Sequence, residues 1–143
     1  MSKLRIGFSP CPNDTFIFDA LIHGKIDTNG LEFDVYMADV EELNQMAFKG
    51  VLDITKLSYH AFLHVLECYV MLDSGSAMGN NCGPILIKNS GHKNPEENDL
   101  IAIPGKYTTA NFLLNYAFPQ LKMRKEMLFS VIEKALESNE VSA

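Results

Sequence analysis

Residues able to do chemistry gather at a few places in this chain. Cys11 stands between Pro10 and Pro12, and Asn13-Asp14-Thr15 follows at once. A thiol at a helix start is acidified, because the dipole favours thiolate. Yet Cys11 has no Cys-x-x-Cys partner and no neighbouring histidine, so it reads as part of a bend or a pocket wall. Lys56-Leu57-Ser58 combines an ammonium, backbone N–H groups and a hydroxyl, a set that suits a carboxylate. Ser58 equally suits a helix cap, and the two roles are compatible. Gly105-Lys106-Tyr107-Thr108-Thr109-Ala110 has the same character. It lacks the G-x-x-x-x-G-K-S/T spacing of a nucleotide phosphate loop, since tyrosine follows the lysine. Hydroxyls and N–H groups at a helix start suit a carboxylate there, with capping as the alternative.

His60 and His64 lie four apart, and Glu67 follows three later. Histidines at that spacing share a helix face and can chelate zinc. The metalloprotease pattern needs glutamate where Ala61 stands, and the intervening A-F-L is apolar. A packed helix is the better reading. His23 and His92 sit near glycines in expected surface turns. Asp14, Asp53 and Asp73 flank expected strand ends, but none has a sequence neighbour that would raise its pKa. No general base is evident.

These groups must be positioned by regular elements. Leu4–Phe8 reads as a strand that Ser9-Pro10 stops. Asn13 or Asp14 is the expected cap of a helix carrying Phe16, Ile17, Ala20 and Leu21 at helical spacing, closed by Gly24. A second strand is expected at Leu31–Tyr36, then a helix at Val40–Phe48 capped by Asp39, with Glu42 completing a capping box. Val51–Thr55 follows as a strand, Tyr59–Glu67 as a helix, and Cys68–Leu72 and Pro84–Lys88 as two further strands around a Gly/Ser/Asn-rich loop. After polar Asn89–Asn98 come a strand at Leu100–Ile103 and helices at Thr108–Ala117 and Glu126–Leu136. Strands alternating with helices predict an α/β fold with a mostly parallel sheet. Ligands then sit beyond the carboxyl ends of strands. That rule selects Ser9–Asp14, Thr55–Ser58, Asp73–Gly83 and Pro104–Thr109, and it indicates a small polar ligand.

A chain of 143 residues can bury a sizeable core. A net charge of −6 without a basic tract argues against a nucleic-acid surface. The apolar runs fall far short of the ~20 residues a membrane span needs. Three cysteines in no short-spaced pair, with no leader, fit reduced thiols in the cytoplasm.

Four segments together carry a resemblance: I-G-F-S-P-C-P-N-D-T-F-I-F (6–18), G-V-L-D-I-T-K-L-S-Y-H-A (50–61), G-S-A-M-G-N-N-C-G-P (75–84) and I-A-I-P-G-K-Y-T-T-A (101–110). They resemble the 1,4-dihydroxy-6-naphthoate synthases of the futalosine route to menaquinone, along essentially the whole chain. S-P-C-P-N-D-T-F separates them from the sister chorismate dehydratases, which open differently. The resemblance implies a periplasmic binding protein-like α/β fold of type 2, with a first lobe over residues 1–88 and an incomplete second lobe over 89–143. It implies a cytoplasmic lyase that converts cyclic dehypoxanthinylfutalosine to 1,4-dihydroxy-6-naphthoate, with no metal and no organic cofactor. The expected substrate contacts are Lys56, Leu57 and Ser58, and Thr109 and Ala110, with Thr108 a further candidate. Ser9, Cys11, Asn13 and Asp14 are the expected cleft-lining residues. The family's base histidine stands in a motif like G-L-I-I-H-E, expected beyond Ala143; His23, His60, His64 and His92 do not match it. The expected partner is a small molecule carrying an aromatic carboxylate, with no nucleic acid and no membrane. A truncated lobe is also expected to expose apolar surface and to self-associate into a homo-oligomer. A non-catalytic solute-binding domain and a chorismate dehydratase are the rival readings.

Overall fold

The computed structural model describes residues 3–143. The chain forms two compact units, the first ending at Met78 and the second spanning Gly79–Ala143. Both are mixed α/β structures with one small parallel sheet each.

In the first unit, β1 (Leu4–Phe8) leads into α1 (Pro12–Ile22), β2 (Phe33–Met37), α2 (Val40–Phe48), β3 (Ile54–Thr55) and α3 (Tyr59–Phe62). The sheet order is β2-β1-β3. Leu4 to Phe8 pair in register with Phe33 to Met37, and Ile6 and Gly7 pair with Ile54 and Thr55. Parallel neighbours need crossovers, and α1 and α2 supply them. Ile6, Phe8, Leu43, Ala47, Leu52, Ala61 and Val65 form the buried apolar set. Gly7 permits this packing. A Cβ there would lie 2.4 Å from Leu52 Cδ1 and 2.9 Å from Leu43 Cδ2, both on buried side chains. Tyr69 anchors the lower end of the unit. Its hydroxyl donates to the Leu52 carbonyl at 2.6 Å, and burial raises its pKa.

Arg5 and Asp53 fasten β1 to the entry of β3. Arg5 Nε and Nη2 donate to the two Asp53 carboxylate oxygens at 3.0 and 2.9 Å, and the Arg5 N–H donates to Oδ2 at 2.8 Å. The Asp53 N–H returns a bond to the Arg5 carbonyl at 2.9 Å. The Arg5 hydrogen bonds hold the Asp53 carboxyl at a pKa of about 2.

In the second unit, β4 (Ile101–Ile103) is followed by α4 (Thr109–Ala117), β5 (Arg124–Glu126), a 3-10 turn at Phe129–Val131 and α5 (Ile132–Glu137). Ile101, Ala102 and Ile103 pair in parallel with Arg124, Lys125 and Glu126. The last residues run along β4 too. Ser142 donates to the Leu100 carbonyl and Ala102 to the Ala143 carbonyl, each at 2.8 Å. One apolar cluster joins Ile101, Leu121 and Ala143, and a second joins Ala135, Leu136 and Val141.

Several sequence expectations are corrected. α1 starts earlier than an Asn13 or Asp14 cap implies: Cys11 is the N-cap and Pro12 the first helical residue. Proline at that position has a preset φ and lacks an N–H that would be unpaired anyway. Phe16 is 85 % exposed, and Phe18 instead stacks on Phe8 with ring centroids 4.7 Å apart. The Gly24 stop holds, with φ +62 and the Lys25 N–H on the Ala20 carbonyl. Asp39 caps α2 by accepting from Glu41 at 3.4 Å, while Glu42 is exposed. β2 begins at Phe33 rather than Leu31, and β3 is two residues long. α3 stops at Phe62, and turns replace its expected second half. Cys68–Leu72 and Pro84–Lys88 are not strands. Val70 and Ile85 are 81 % and 82 % exposed, because a strand requires a neighbour to pair with, while Leu86 packs against the Ile101 cluster and Tyr69 reaches Leu52. The expected helix at Glu126–Leu136 is split, since Arg124–Glu126 pairs with β4. Among the described residues, no helix is long and apolar enough to cross a membrane.

Gly7→Ala is expected to destabilise the first unit by about 1–3 kcal/mol through overpacking, read as a lower urea midpoint. Asp53 adds stability that is complete above the ordinary carboxylate pKa of about 3.9 and fades as pH falls towards 2. Asp53→Asn should therefore lower the urea midpoint at pH 7 and lower it much less near pH 2, where the folded carboxyl is itself titrating.

Candidate functional site

The β1 exit is organised by Asp14, the third residue of α1. Starting the helix at Pro12 turns this carboxylate back over the preceding chain. Its Oδ2 accepts from the Ser9 N–H at 3.1 Å and the Ser9 hydroxyl at 2.8 Å. The residue is only 6 % exposed, so these bonds replace water at an acid in the first helical turn. Lys56 Nζ lies 3.6 Å from Asp14 Oδ1 and donates to the Gly75 carbonyl at 2.7 Å. Ser9, Asp14, Lys56 and Gly75 thus form one polar group, from residues far apart in sequence. Cys11 and Asn13 are exposed beside it. The Cys11 N–H donates to Ser9 Oγ at 3.4 Å, so its thiol is not the centre of the group.

The Lys56-Leu57-Ser58 segment has three backbone donors with different fates. The Lys56 N–H extends the sheet ladder to the Gly7 carbonyl at 2.8 Å. The Ser58 N–H donates to Asn44 Oδ1 at 3.0 Å, and Asn44 Nδ2 reaches Ser58 Oγ at 3.4 Å and Glu41 Oε2 at 3.2 Å. Asn44 is fully buried on α2 and holds this turn in place. Among the described residues, the Leu57 N–H has no acceptor. Ser58 occupies the N-cap position of α3, although its hydroxyl makes no cap bond. α3 has four residues, so its dipole is slight, and the positive charge comes from Lys56.

The second unit builds a related turn after β4. Thr108 is the N-cap of α4 and is buried. Its hydroxyl donates to the Gly105 carbonyl at 2.8 Å and accepts from the Asn111 N–H at 3.3 Å. That occupies the hydroxyl in capping. Thr109 and Ala110 are half-buried in the first turn of α4. Asn111 Nδ2 donates to the Lys106 carbonyl at 2.8 Å, and its Oδ1 accepts from Arg124 Nη1. The same guanidinium donates to the Leu121 carbonyl, and its burial pulls the Arg124 pKa below the ordinary value. Glu126 Oε2 accepts the Lys106 N–H at 3.1 Å. A side-chain carboxylate therefore already sits on one backbone donor of this turn.

The histidine pair is packed against an aromatic ring. His60 and His64 meet edge to face at 5.4 Å, and His64 meets Phe48 at 6.1 Å. Among the described residues, no group of three His, Cys, Asp or Glu side chains is arranged to hold a metal ion. Asn44, Asn111 and Arg124 escaped the sequence reading, whereas Gly75 lies in the Asp73–Gly83 loop that the sequence had singled out. The signal for the two asparagines was a polar residue amid the apolar positions of an amphipathic helix. Arg124 gave no local signal.

Comparison with known proteins gives a consistent result. The profile of a family described as "Menaquinone biosynthesis" matches residues 4–143. A 1,4-dihydroxy-6-naphtoate synthase from Thermus thermophilus is 43% identical over 135 residues, covering 92% of this chain and 49% of that protein. A protein of the same name from Streptomyces coelicolor is 39% identical over 110 residues, covering 77% of this chain and 38% of its own length. A crystal structure of a protein from Archaeoglobus fulgidus superposes with a TM-score of 0.90 at 35% identity, over 98% of this chain and 52% of that one. The chain therefore spans half or less of the length of the curated relatives it matches.

Asn44→Ala strands the Ser58 N–H, and we expect a loss of about 1–3 kcal/mol in unfolding free energy. Amide exchange at Ser58 should quicken in the same variant.

Proposed function

The chain belongs to the menaquinone-biosynthesis family that matches it from residue 4 to residue 143, and from that premise we propose that it works as part of a 1,4-dihydroxy-6-naphthoate synthase. The reaction is the lyase step from cyclic dehypoxanthinylfutalosine to 1,4-dihydroxy-6-naphthoate, a base-initiated elimination that releases a modified sugar. We assign the architecture to the type 2 periplasmic binding protein-like class, with the first unit as one lobe and the second as the start of another. Free, exposed Cys11, Cys68 and Cys82 support a cytoplasmic setting.

The observation that carries the reading is the Lys56-Leu57-Ser58 turn at the carboxyl end of the three-stranded sheet, where a partly buried lysine is followed in sequence by a Leu57 N–H with no acceptor among the described residues. A carboxylate is the ligand such a pair selects, because charge-assisted hydrogen bonds are about twice as strong as neutral ones. Ser58 adds its hydroxyl. In the second unit, Thr109 and Ala110 offer an anionic group the first turn of α4. Thr108, Ser9 and Asp14 support these turns from within. The general base is assigned to the part of the family fold that this chain does not cover. Val70, Met71 and Leu72 are exposed and adjacent, and they support self-association of the isolated chain.

The test is titration with 1,4-dihydroxy-6-naphthoate, followed by its fluorescence, against naphthalene-1,4-diol, which lacks the carboxylate. The acid should bind and the diol should not. Lys56→Met should weaken the acid about tenfold, the effect of losing one charged contact. Equal binding of acid and diol, or indifference to Lys56→Met, would overturn the assignment.

A further inference from the structure

We propose that Lys56 is a positioning residue as well as a ligand group: it tethers Ser74–Met78, the last segment of the first unit, so that carboxylate binding and the order of that segment compete for one ammonium. The tether itself stands on the contacts of the chain. The competition rests on the carboxylate reading above.

Lys56 is set deep for a lysine. Its side chain is 21% exposed and that of Asp14 is 9% exposed. The bond to the Gly75 carbonyl is short, at 2.7 Å, while the Asp14 oxygen is farther away at 3.6 Å. Asp14 therefore fixes the charge in place, and Gly75 receives the direct hydrogen bond. Gly75 has φ +82 and is the one half-buried residue of Asp73–Met78; the rest of that segment is exposed and in no helix or strand. It comes close to α1, where a Cβ at Gly75 would lie 3.9 Å from Ile17 Cγ2. Next to it, Ser76 Oγ hydrogen-bonds the Tyr59 hydroxyl. The segment is thus tied back twice to the residues that follow β3, just before the unit ends at Met78.

A neutral carbonyl is a weaker acceptor for an ammonium than a carboxylate. A ligand carboxylate seated on the Leu57 N–H draws Lys56 towards itself and lengthens the bond to Gly75. By reciprocity, whatever holds Gly75 on Lys56 weakens the ligand by the same factor. The anion site and the end of the first unit are then coupled without any change in the sheet.

Hydrogen exchange of the amides at residues 74–78 tests this, in the chain without ligand and with saturating 2-naphthoate. Without ligand, Lys56→Met should exchange about tenfold faster there than the unsubstituted chain, as expected for one lost bond to a charged group. Lys56→Arg, which restores the charge and a donor, should bring protection back. Unchanged exchange in a Lys56→Met protein with an unaltered thermal midpoint overturns the tether. Should Lys56→Met not fold, the same comparison on Lys56→Arg decides, through the ligand response. In the unsubstituted chain, 2-naphthoate should speed exchange at 74–78, and in Lys56→Met it should not. Binding of 2-naphthoate with no change at 74–78 overturns the competition while leaving the carboxylate site standing. No binding at all overturns the carboxylate site and the competition with it, and the ligand-free comparison still judges the tether.

Discussion

The hydrogen-bond ladder of β1 has to end somewhere, and the way it ends shapes the first unit. β1 is the central strand, so both of its edges are occupied. The last ladder bonds are those from Lys56 to Gly7 and from Ala38 to Phe8. Beyond them the chain is still partly buried, and a buried N–H without an acceptor is costly. Asp14 answers this for Ser9, and Asn44 answers it for Ser58. Each solution uses a side chain from the helix that follows or precedes the strand. The turn proposed to hold a carboxylate is therefore held by the same bonds that make the sheet end tolerable. Removing them would disturb the fold and that turn together.

The second unit meets the same problem with different parts. Its turn after β4 is closed by Thr108 and by the Asn111–Arg124 pair. Half-burying a guanidinium is acceptable here because the Leu121 carbonyl and Asn111 Oδ1 accept its hydrogen bonds. Glu126 then takes the Lys106 N–H. With that donor and the Thr108 hydroxyl engaged, capping falls to Thr108, and the anion contact proposed for this turn falls to the residues after it.

What was legible in the sequence was mostly punctuation. Ser9-Pro10 ends β1 and Gly24 ends α1, because proline and glycine act through their own backbones. Asp39 is legible as a cap for the same local reason. The role of Asp14 was not, since its backward reach depends on a helix that begins at Pro12. Val70–Leu72 and Ile85–Ile87 have strand composition, but composition reports only a liking for a sheet. Whether a neighbour lies alongside is a matter of topology. Glu126 errs in the opposite direction: it reads as a helix start, yet with Arg124 and Lys125 it pairs with β4. Of the four segments singled out at strand exits, Ser9–Asp14, Thr55–Ser58 and Pro104–Thr109 do follow strands, because punctuation marks well where chains turn; Asp73–Gly83 follows no strand.

Charge decides how an anion can be held at all. The chain carries −6 and α3 is too short to contribute much of a dipole, so no broad positive field draws a carboxylate in. Lys56 is the local cation, and Asp14 already offsets part of it. A site of this kind gains little from long-range attraction and much from directed donors. In the site proposed here, selectivity rests on whether a ligand can engage both the Leu57 N–H and the Lys56 ammonium. A flat aromatic acid can present two oxygens in one plane. A phosphate, with more charge and a tetrahedral shape, would meet Asp14 as a repelling neighbour behind the same lysine. On the proposed reading, the buried acid that finishes the ladder of β1 also biases that site towards weakly charged anions.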